Sequence, residues 1–273
     1  MQASPPWTPP SGTLGEIVGE ARERAARLEA RRAELEHAAS TVGTVAPLAP
    51  TLRRSDVAVI AEIKRRSPSK GWISPTLAAG EQARSYEAGG AAAISVLTEP
   101  RHFAGSVEDV QSIRESVAIP ILKKDFHVAP IQLVEARAIG ASAALLIARA
   151  LKPSALREMM RVAAALKLEV LVEVRDEREL DLALDTGTAL LGINNRNLET
   201  LAIDAAMSER LLRHVPHSVI AIAESGVSGR ADVERVARAG ADAVLVGSSI
   251  SAASDPVSAV RALVGVVRTD RAR

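Results

Sequence analysis

About eight short runs of β-prone apolar residues recur from residue 57 onward: "VAVIAEI", "AAISVLT", "IPILKK", "AALLIA", "LEVLVEV", "LLGIN", "VIAIAE" and "AVLVGS". Their centres stand roughly 20 to 35 residues apart, the length of a strand plus a crossover helix. The stretches between them are rich in Ala, Glu and Arg at helical intervals. Such alternation implies parallel strands joined by right-handed βα units. Gly precedes several of the runs, in "EAGGAAAISVL", "AIGASAALLI" and "RAGADAVLVG", where it ends a helix in the left-handed conformation. About eight such units fill a closed (β/α)8, or TIM, barrel. A doubly wound open sheet is the alternative, but the Gly-rich dinucleotide fingerprint expected after its first strand is missing.

A chain of 273 residues suits one large α/β domain or two small ones. Apolar residues make up 47% of it and aromatics only 2%, so the interior must be built from Ala, Val, Leu and Ile, as α/β cores are. Ahead of the barrel, "TLGEIVGEARERAARLEARRAELEHAA" reads as one exposed amphipathic helix lying against it, and "STVGTVAPLAP" as a connecting loop. The expected division is residues 1–50 for a Pro-rich start, helix and loop, and residues 51–273 for the catalytic barrel.

Charge and cysteine content narrow the function. With 34 basic and 33 acidic residues spread along the chain, there is no polyanion-binding surface to expect, which disfavours nucleic acid. The absence of cysteine excludes disulfides, thiolate nucleophiles and thiolate metal sites, and is compatible with a reducing cytoplasm. No run reaches the roughly 20 apolar residues of a membrane span, and "MQASPPWTPPSG" lacks the apolar stretch of a secretory signal. A cytoplasmic protein is expected, with a monomer favoured.

In a barrel of this kind the active site lies at the carboxyl ends of the strands, and polar residues close nearly every run. The first ends in Glu62 and Lys64, whose i, i+2 spacing points both the same way. The third ends in Lys123 and Lys124, the fifth in Glu173, the sixth in Asn194 and Arg196, the seventh in Glu224 and Ser225, the eighth in Gly247 and Ser248. Any one alone reads as a solvated strand end or structural ion pair. Together they put carboxylates, amines, an amide and a guanidinium at one mouth, where burial and neighbouring charges tune Lys and Glu for proton transfer.

"AESGVSG" and "VLVGSS" each set Ser beside Gly after a late strand, where barrels frequently bind phosphate. A tight turn alone would also want Gly. Phe103 and Phe126, both just beyond strand ends, serve equally as core plugs or as walls for a flat ligand, and Leu145 and Ile147, on one face of the fourth run, extend that wall. His102, His127, His214 and His217 show no metal-ligand spacing, so no metal is expected.

The opening "VIAEIKRRSPSKGWI", with its Glu-x-Lys-x-x-Ser-Pro core, and the later blocks "ISVLTEPRHFAGS", "PILKKDF", "LVEV", "GINNRNL", "AESGV" and "VLVGSS" resemble the indole-3-glycerol phosphate synthase family, in the right order over roughly residues 14 to 265. The resemblance implies ring closure of 1-(2-carboxyphenylamino)-1-deoxyribulose 5-phosphate with loss of carbon dioxide and water, without a cofactor. It implies Lys124 as general acid, Glu173 as base or cation stabiliser, and Lys64 as a cation near the leaving carboxylate or an acid for dehydration. Glu62 and Asn194 would orient the sugar hydroxyls, with Arg196 and Ser225 completing the substrate network. Gly226, Gly247 and Ser248, with Arg66 and Ser67, would receive the phosphate. Phe103, Phe126, Leu145, Ile147 and Leu198 would form the anthranilate pocket. Ser67-Pro68 would begin a loop that closes over the ligand.

Three positions depart from the family pattern. Lys123 stands where Arg or Met is common, His127 where Ile or Val is, and Ser142 where Asp is often found. A second amine beside the acid would alter its pKa. Another phosphosugar barrel, such as a relative of phosphoribosylanthranilate isomerase, is the enzymatic alternative, but it would want a Cys and Asp pair and this chain has no Cys. A barrel that binds ligand without chemistry is the other, against which the intact Lys and Glu set argues. No residues remain for a second barrel, so a free-standing enzyme is expected.

Overall fold

Each of the eight apolar runs forms a strand, and in the computed structural model, which describes residues 6–271, these strands close into one parallel barrel. In chain order the strands are β1 (Ala58–Ile63), β2 (Arg66–Ser67), β3 (Gly71–Trp72), β4 (Ala93–Leu97), β5 (Ile121–Lys124), β6 (Ala143–Ile147), β7 (Glu169–Val174), β8 (Leu190–Asn194), β9 (Ile220–Glu224) and β10 (Ala243–Val246). The barrel runs β1-β10-β9-β8-β7-β6-β5-β4 and closes where β4 pairs with β1. β2 and β3 form a small antiparallel hairpin in the loop after β1. The helices are α1 (Gly12–Glu29), α2 (Arg32–Thr41), α3 (Leu48–Leu52), α4 (Ala79–Ala88), α5 (Pro100–Phe103), α6 (Val107–Arg114), α7 (Pro130–Ala138), α8 (Pro153–Ala165), α9 (Glu177–Asp185), α10 (Ala206–Leu212), α11 (Arg230–Arg238), α12 (Ser248–Ser251) and α13 (Pro256–Arg261). Gly140 and Gly240 take the left-handed conformation (φ 82° and 93°) just before β6 and β10, as the sequence pattern anticipates.

Strand alternation splits the core in two. Val59, Ala61 and Ile63 join the layer between barrel and helices, whereas Ala58 and Ile60 point inward with Leu122, Leu145, Leu171, Leu190, Ile222 and Leu245. The barrel axis is therefore filled with aliphatic side chains, a packed core rather than a pore.

The amino-terminal segment straps this cylinder from end to end. Leu14, Ile17, Val18 and Ala21 of α1 pack with Phe126 and Ile147 at the carboxyl ends of the strands, and α2 runs along α7. Leu48 and Leu52 of α3, fully buried, pack with Ala58 at the opposite end. The Glu169 carboxylate, at the start of β7, accepts the α3 backbone N–H groups of Leu48 and Ala49 and so occupies donors that a helix start leaves unpaired.

Three local features differ from the sequence expectation. The single helix breaks between Glu29 and Arg32, with neither Pro nor Gly there; α1 packs first on the strand ends and then, through Ala25 and Leu28, joins α2 on α7. The connecting loop contains α3, so the boundary expected at residue 50 falls inside a helix. Of the Pro-rich start, residues 1–5 lie outside the described residues.

Leu48→Ala would open a cavity at the foot of the barrel, where collapse is resisted on all sides. The expected loss is about 2–5 kcal/mol, read as a lower urea midpoint at unchanged slope.

Candidate active site

The inward line of residues on each strand stays apolar until its carboxyl end and then turns polar. β1 runs Ala58, Ile60, Glu62; β5 runs Leu122, Lys124; β7 runs Leu171, Glu173; β8 runs Leu190, Gly192, Asn194; β9 runs Ile220, Ile222, Glu224. Because side chains alternate strictly along a strand, these terminal groups converge. They line a single cavity of about 220 Å³ at the strand ends.

At its floor the Lys124 amine lies between two buried carboxylates, Glu173 Oε2 at 3.2 Å and Glu224 Oε2 at 3.0 Å. Burial works against its charge, but attraction by Glu224, Glu173 and Glu62 outweighs burial and raises its pKa. Burial pushes the Glu224 carboxyl up to about 8, Glu173 and Glu62 adding to the rise and Lys124 opposing it. Asn194 donates from Nδ2 to Glu173 Oε1 at 3.0 Å and accepts the Arg196 N–H at 2.9 Å. The Lys64 amine pairs with Glu62 at 2.5 Å. The site thus holds charged and neutral acids side by side, the condition for moving protons.

Two glycines make room for these carboxylates. A Cβ at Gly192 would collide with Glu224 Oε1, and one at Gly247 with Glu62 Oε1. Gly is needed at both so that each carboxylate can lie across the neighbouring strand.

One side of the cavity is apolar. Phe103 and Phe126 have ring centroids 6.1 Å apart and tilted by 33°, and Leu145, Ile147 and Leu198 continue the wall. The other side is a rim of small residues: Ser225, Gly226, Gly247, Ser248 and Ser249, faced by Ser67 and Lys70 from the hairpin loop. Ser225 and Gly226 both take left-handed backbone (φ 63° and 81°), unusual for a serine. Asn195 staples this turn, its Nδ2 donating to Ser225 O at 2.9 Å and its Oδ1 accepting both donors of Ser208.

Arg66 does not join the rim. The hairpin alternation that buries Ser67 turns Arg66 outward, where it stacks 5.7 Å from the Trp72 ring and donates to the Arg101 carbonyl at 3.1 Å. Lys123 likewise is not beside Lys124. As the preceding residue of β5 it faces outward, buried against Glu135 at 3.0 Å and Asp125 at 3.4 Å. His127 lies 3.4 Å from Lys123 and bonds the Leu145 carbonyl at 2.8 Å; burial, with Lys123 adding, pushes its pKa down to about 3 and keeps it neutral. All the other residues that the resemblance assigns to the site line the cavity.

Sequence reasoning left Glu224, Asp125, Lys70 and Ser249 without a role, although all four line the cavity. Glu224 carried the needed signal, since it closes the inward line of β9 as Glu173 closes that of β7. Outside the cavity, Glu20, Glu99 and His102 bring potential metal-ligating atoms within 4.8 Å of one another. The Glu99 carboxylate already accepts the N–H groups of Arg101, His102 and Phe103 and one from Arg24, and Arg101 pairs with Glu20 at 2.8 Å. That grouping caps α5 and is neutralised by guanidinium groups.

The fold and the convergent acid–base set define a (β/α)8-barrel enzyme. A sequence model of the indole-3-glycerol phosphate synthase family matches residues 14–263. The chain belongs to that family. It is 46% identical over 244 residues to the indole-3-glycerol phosphate synthase of Mycolicibacterium gilvum, covering 89% of this chain and 88% of that one. Identity to the Nocardioides sp. synthase is 50% over 217 residues, 80% of this chain and 84% of that one. With indole-3-glycerol phosphate synthase 2 of Streptomyces coelicolor it is 43% over 260 residues, 93% and 100% of the two chains. Among solved structures, thiamine phosphate pyrophosphorylase from Pyrococcus furiosus superposes with a TM-score of 0.59 at 17% identity, covering 79% of this chain and 95% of that one. That likeness speaks for the barrel alone.

Gly192→Ala is expected to drive the Glu224 carboxylate off its position beside Lys124. A displacement of about 1 Å costs on the order of 10²-fold in turnover, to be read in a steady-state assay beside a thermal melt that stays cooperative.

Proposed function

We propose that this chain is an indole-3-glycerol phosphate synthase, closing the indole ring of 1-(2-carboxyphenylamino)-1-deoxyribulose 5-phosphate with release of carbon dioxide and water. One observation carries the reading: an ammonium held between two carboxylates at the floor of a cavity with an aromatic wall on one side and a Gly/Ser rim on the other. The substrate has the same three parts in the same order, a flat ring, a reacting carbonyl and a phosphate.

The ring carbon bearing the carboxylate attacks the ribulose C2 carbonyl, and Lys124 donates a proton to the developing alkoxide. Carbon dioxide then leaves, and the electron pair of the broken bond restores the aromatic ring and neutralises the nitrogen cation. Until that point Glu173 supplies negative charge that stabilises the cation. Dehydration follows: the new hydroxyl leaves as water with a second proton, while Glu173 takes a proton from the former C1 methylene to give the indole double bond. Lys64, paired with Glu62 at the end of β1, serves as the cation near the leaving carboxylate or as the acid for dehydration.

Glu224 enters this scheme on the structure's own terms. Both of its oxygens are buried without a hydrogen-bond partner among the described residues, and its Oε2 lies 3.0 Å from the Lys124 amine, so it acts on the substrate through Lys124. Asn194 and Glu62 orient the sugar chain. The Ser225-Gly226 turn and Gly247-Ser248, with Ser67, receive the phosphate, as the loops after the last two barrel strands do in many barrels. Phe103, Phe126, Leu145, Ile147 and Leu198 hold the anthranilate ring.

The chemistry consists of proton transfers and bond cleavages internal to the substrate, so the reading includes neither metal nor cofactor. Among the described residues no helix is long and apolar enough to cross a membrane. A monomer in the cytoplasm completes the proposal.

The direct test supplies the carboxyphenylamino ribulose phosphate and follows indole fluorescence, with carbon dioxide release as a check; a silent assay from folded protein rejects the function. Lys124→Met should lower turnover by about 10²–10⁴-fold, the range a positioned proton donor contributes, while inorganic phosphate still binds. Near-normal turnover would move the acid elsewhere. Ser248→Asp should raise KM by setting a carboxylate against the phosphate, and an unchanged KM would relocate the anion site.

A further inference from the structure

Resting on the function proposed above, the proton balance of the reaction poses a problem that the main cavity does not by itself solve. Each turnover hands two protons to what was the carbonyl oxygen, one at ring closure and one as water leaves. It recovers one from the methylene, and carbon dioxide departs from a carboxylate that brings none. One proton must therefore enter from solvent in every cycle.

Behind Glu173 lies a second cavity of about 90 Å³ between the loops that follow β7 and β8, room for a short file of waters at about 30 Å³ each. Glu173, Asn194, Arg196 and Leu198 wall both cavities. Glu173 is 2% exposed, whereas Glu179, also lining the second cavity, is partly open to solvent. Arg175 also lines it, with its Nε buried and without a hydrogen-bond partner among the described residues.

We propose that this second cavity is a proton-conducting branch of the active site, in which Glu179 passes protons from solvent through cavity water to Glu173. From Glu173 the proton has a direct exit to the chemistry, the hydrogen bond with the Lys124 amine at 3.2 Å. Glu179 does not touch substrate and acts only through Glu173.

Its surroundings suit the task. Burial pushes the Glu179 carboxyl up to about 7, repulsion from Asp176 and Glu173 adding to the rise while the Arg175 N–H and Arg149 oppose it. Arg196 and Glu199 complete the charged lining. A carboxyl of that pKa is loaded and unloaded with equal ease near neutral pH. It holds its proton below about pH 7, so delivery weakens as pH rises through that value.

Glu179 also accepts the Arg175 N–H at 2.8 Å, a bond that a glutamine carbonyl preserves. In Glu179→Gln, single-turnover and steady-state rates should fall by up to about 10²-fold, the low end for a positioned proton-transfer group. The fall should be reversed by raising imidazole buffer at constant ionic strength, to which the wild-type enzyme is indifferent, and the limb of the rate profile near pH 7 should disappear. Glu179→Ala, rescued by formate, is the second variant. Wild-type rates in Glu179→Gln, or a loss that no small acid restores in either variant, would overturn the relay. Wild-type protein that forms no indole would instead overturn the function on which the relay rests.

Discussion

A buried ammonium can persist at the top of this barrel only because carboxylates reach it from neighbouring strands. Isolating such a charge from water costs several kcal/mol even after relaxation, and the cost is offset only by close opposite charge. Lys124 on β5 finds it in Glu173 on β7, with Glu224 on β9 sharing its proton, on strands that the barrel's curvature brings to face it. Register, closure and chemistry are therefore one requirement. A slip of one residue in any of these strands would send its charged group into the apolar layer under the helices. Gly192 and Gly247 belong to the same requirement, since the carboxylates of Glu224 and Glu62 occupy the space a Cβ would take.

The strapping segment stabilises the site as well as the fold. Arg24 of α1 bonds Glu99 at 3.4 Å and Asp125 at 2.9 Å. Glu99 caps α5, which carries Phe103, and Asp125 precedes Phe126. One guanidinium thus sets the separation of the two rings that form the aromatic wall, and α1 contributes Leu14 and Ile17 to the same cavity. Below, Leu48 and Leu52 close the other end. On the hairpin side Arg65 plays the comparable part, bonding Asp109 of α6 at 2.5 and 2.8 Å and fixing the base of the loop that presents Ser67 and Lys70.

The barrel was legible in the chain because parallel strands buried on both faces leave continuous apolar runs, and all eight runs became strands. The shared direction of Glu62 and Lys64 was legible from spacing alone, and both line the cavity, where they also pair at 2.5 Å. The same rule of alternation, applied to adjacent residues, separates Lys123 from Lys124 and Arg66 from Ser67, and it was the rule not carried far enough. The break between α1 and α2 was illegible for a different reason: no residue there disfavours a helix, and the path of both halves follows the surface of α7, which only the fold brings to them. Asn195 was invisible in the same sense, because its partners, Ser225 and Ser208, meet it only through the fold.

The two lysines of β5 show how one strand can serve two electrostatic systems, with Asp125 at the boundary between them. Lys124 points into the cavity, and Lys123 points away from it into a pocket where Asp125, Glu135 and neutral His127 surround it. Burial alone would raise the Asp125 pKa, yet Lys123 and Arg24 hold it well below the usual carboxylate range. Asp125 therefore stays an anion that can anchor Arg24 and accept from Thr98 at 2.7 Å. The departure from the family pattern at Lys123 does not set a second acid beside the first. Its charge is spent on Asp125 and Glu135, so what it governs is the strap and, through Phe126, the shape of the aromatic wall.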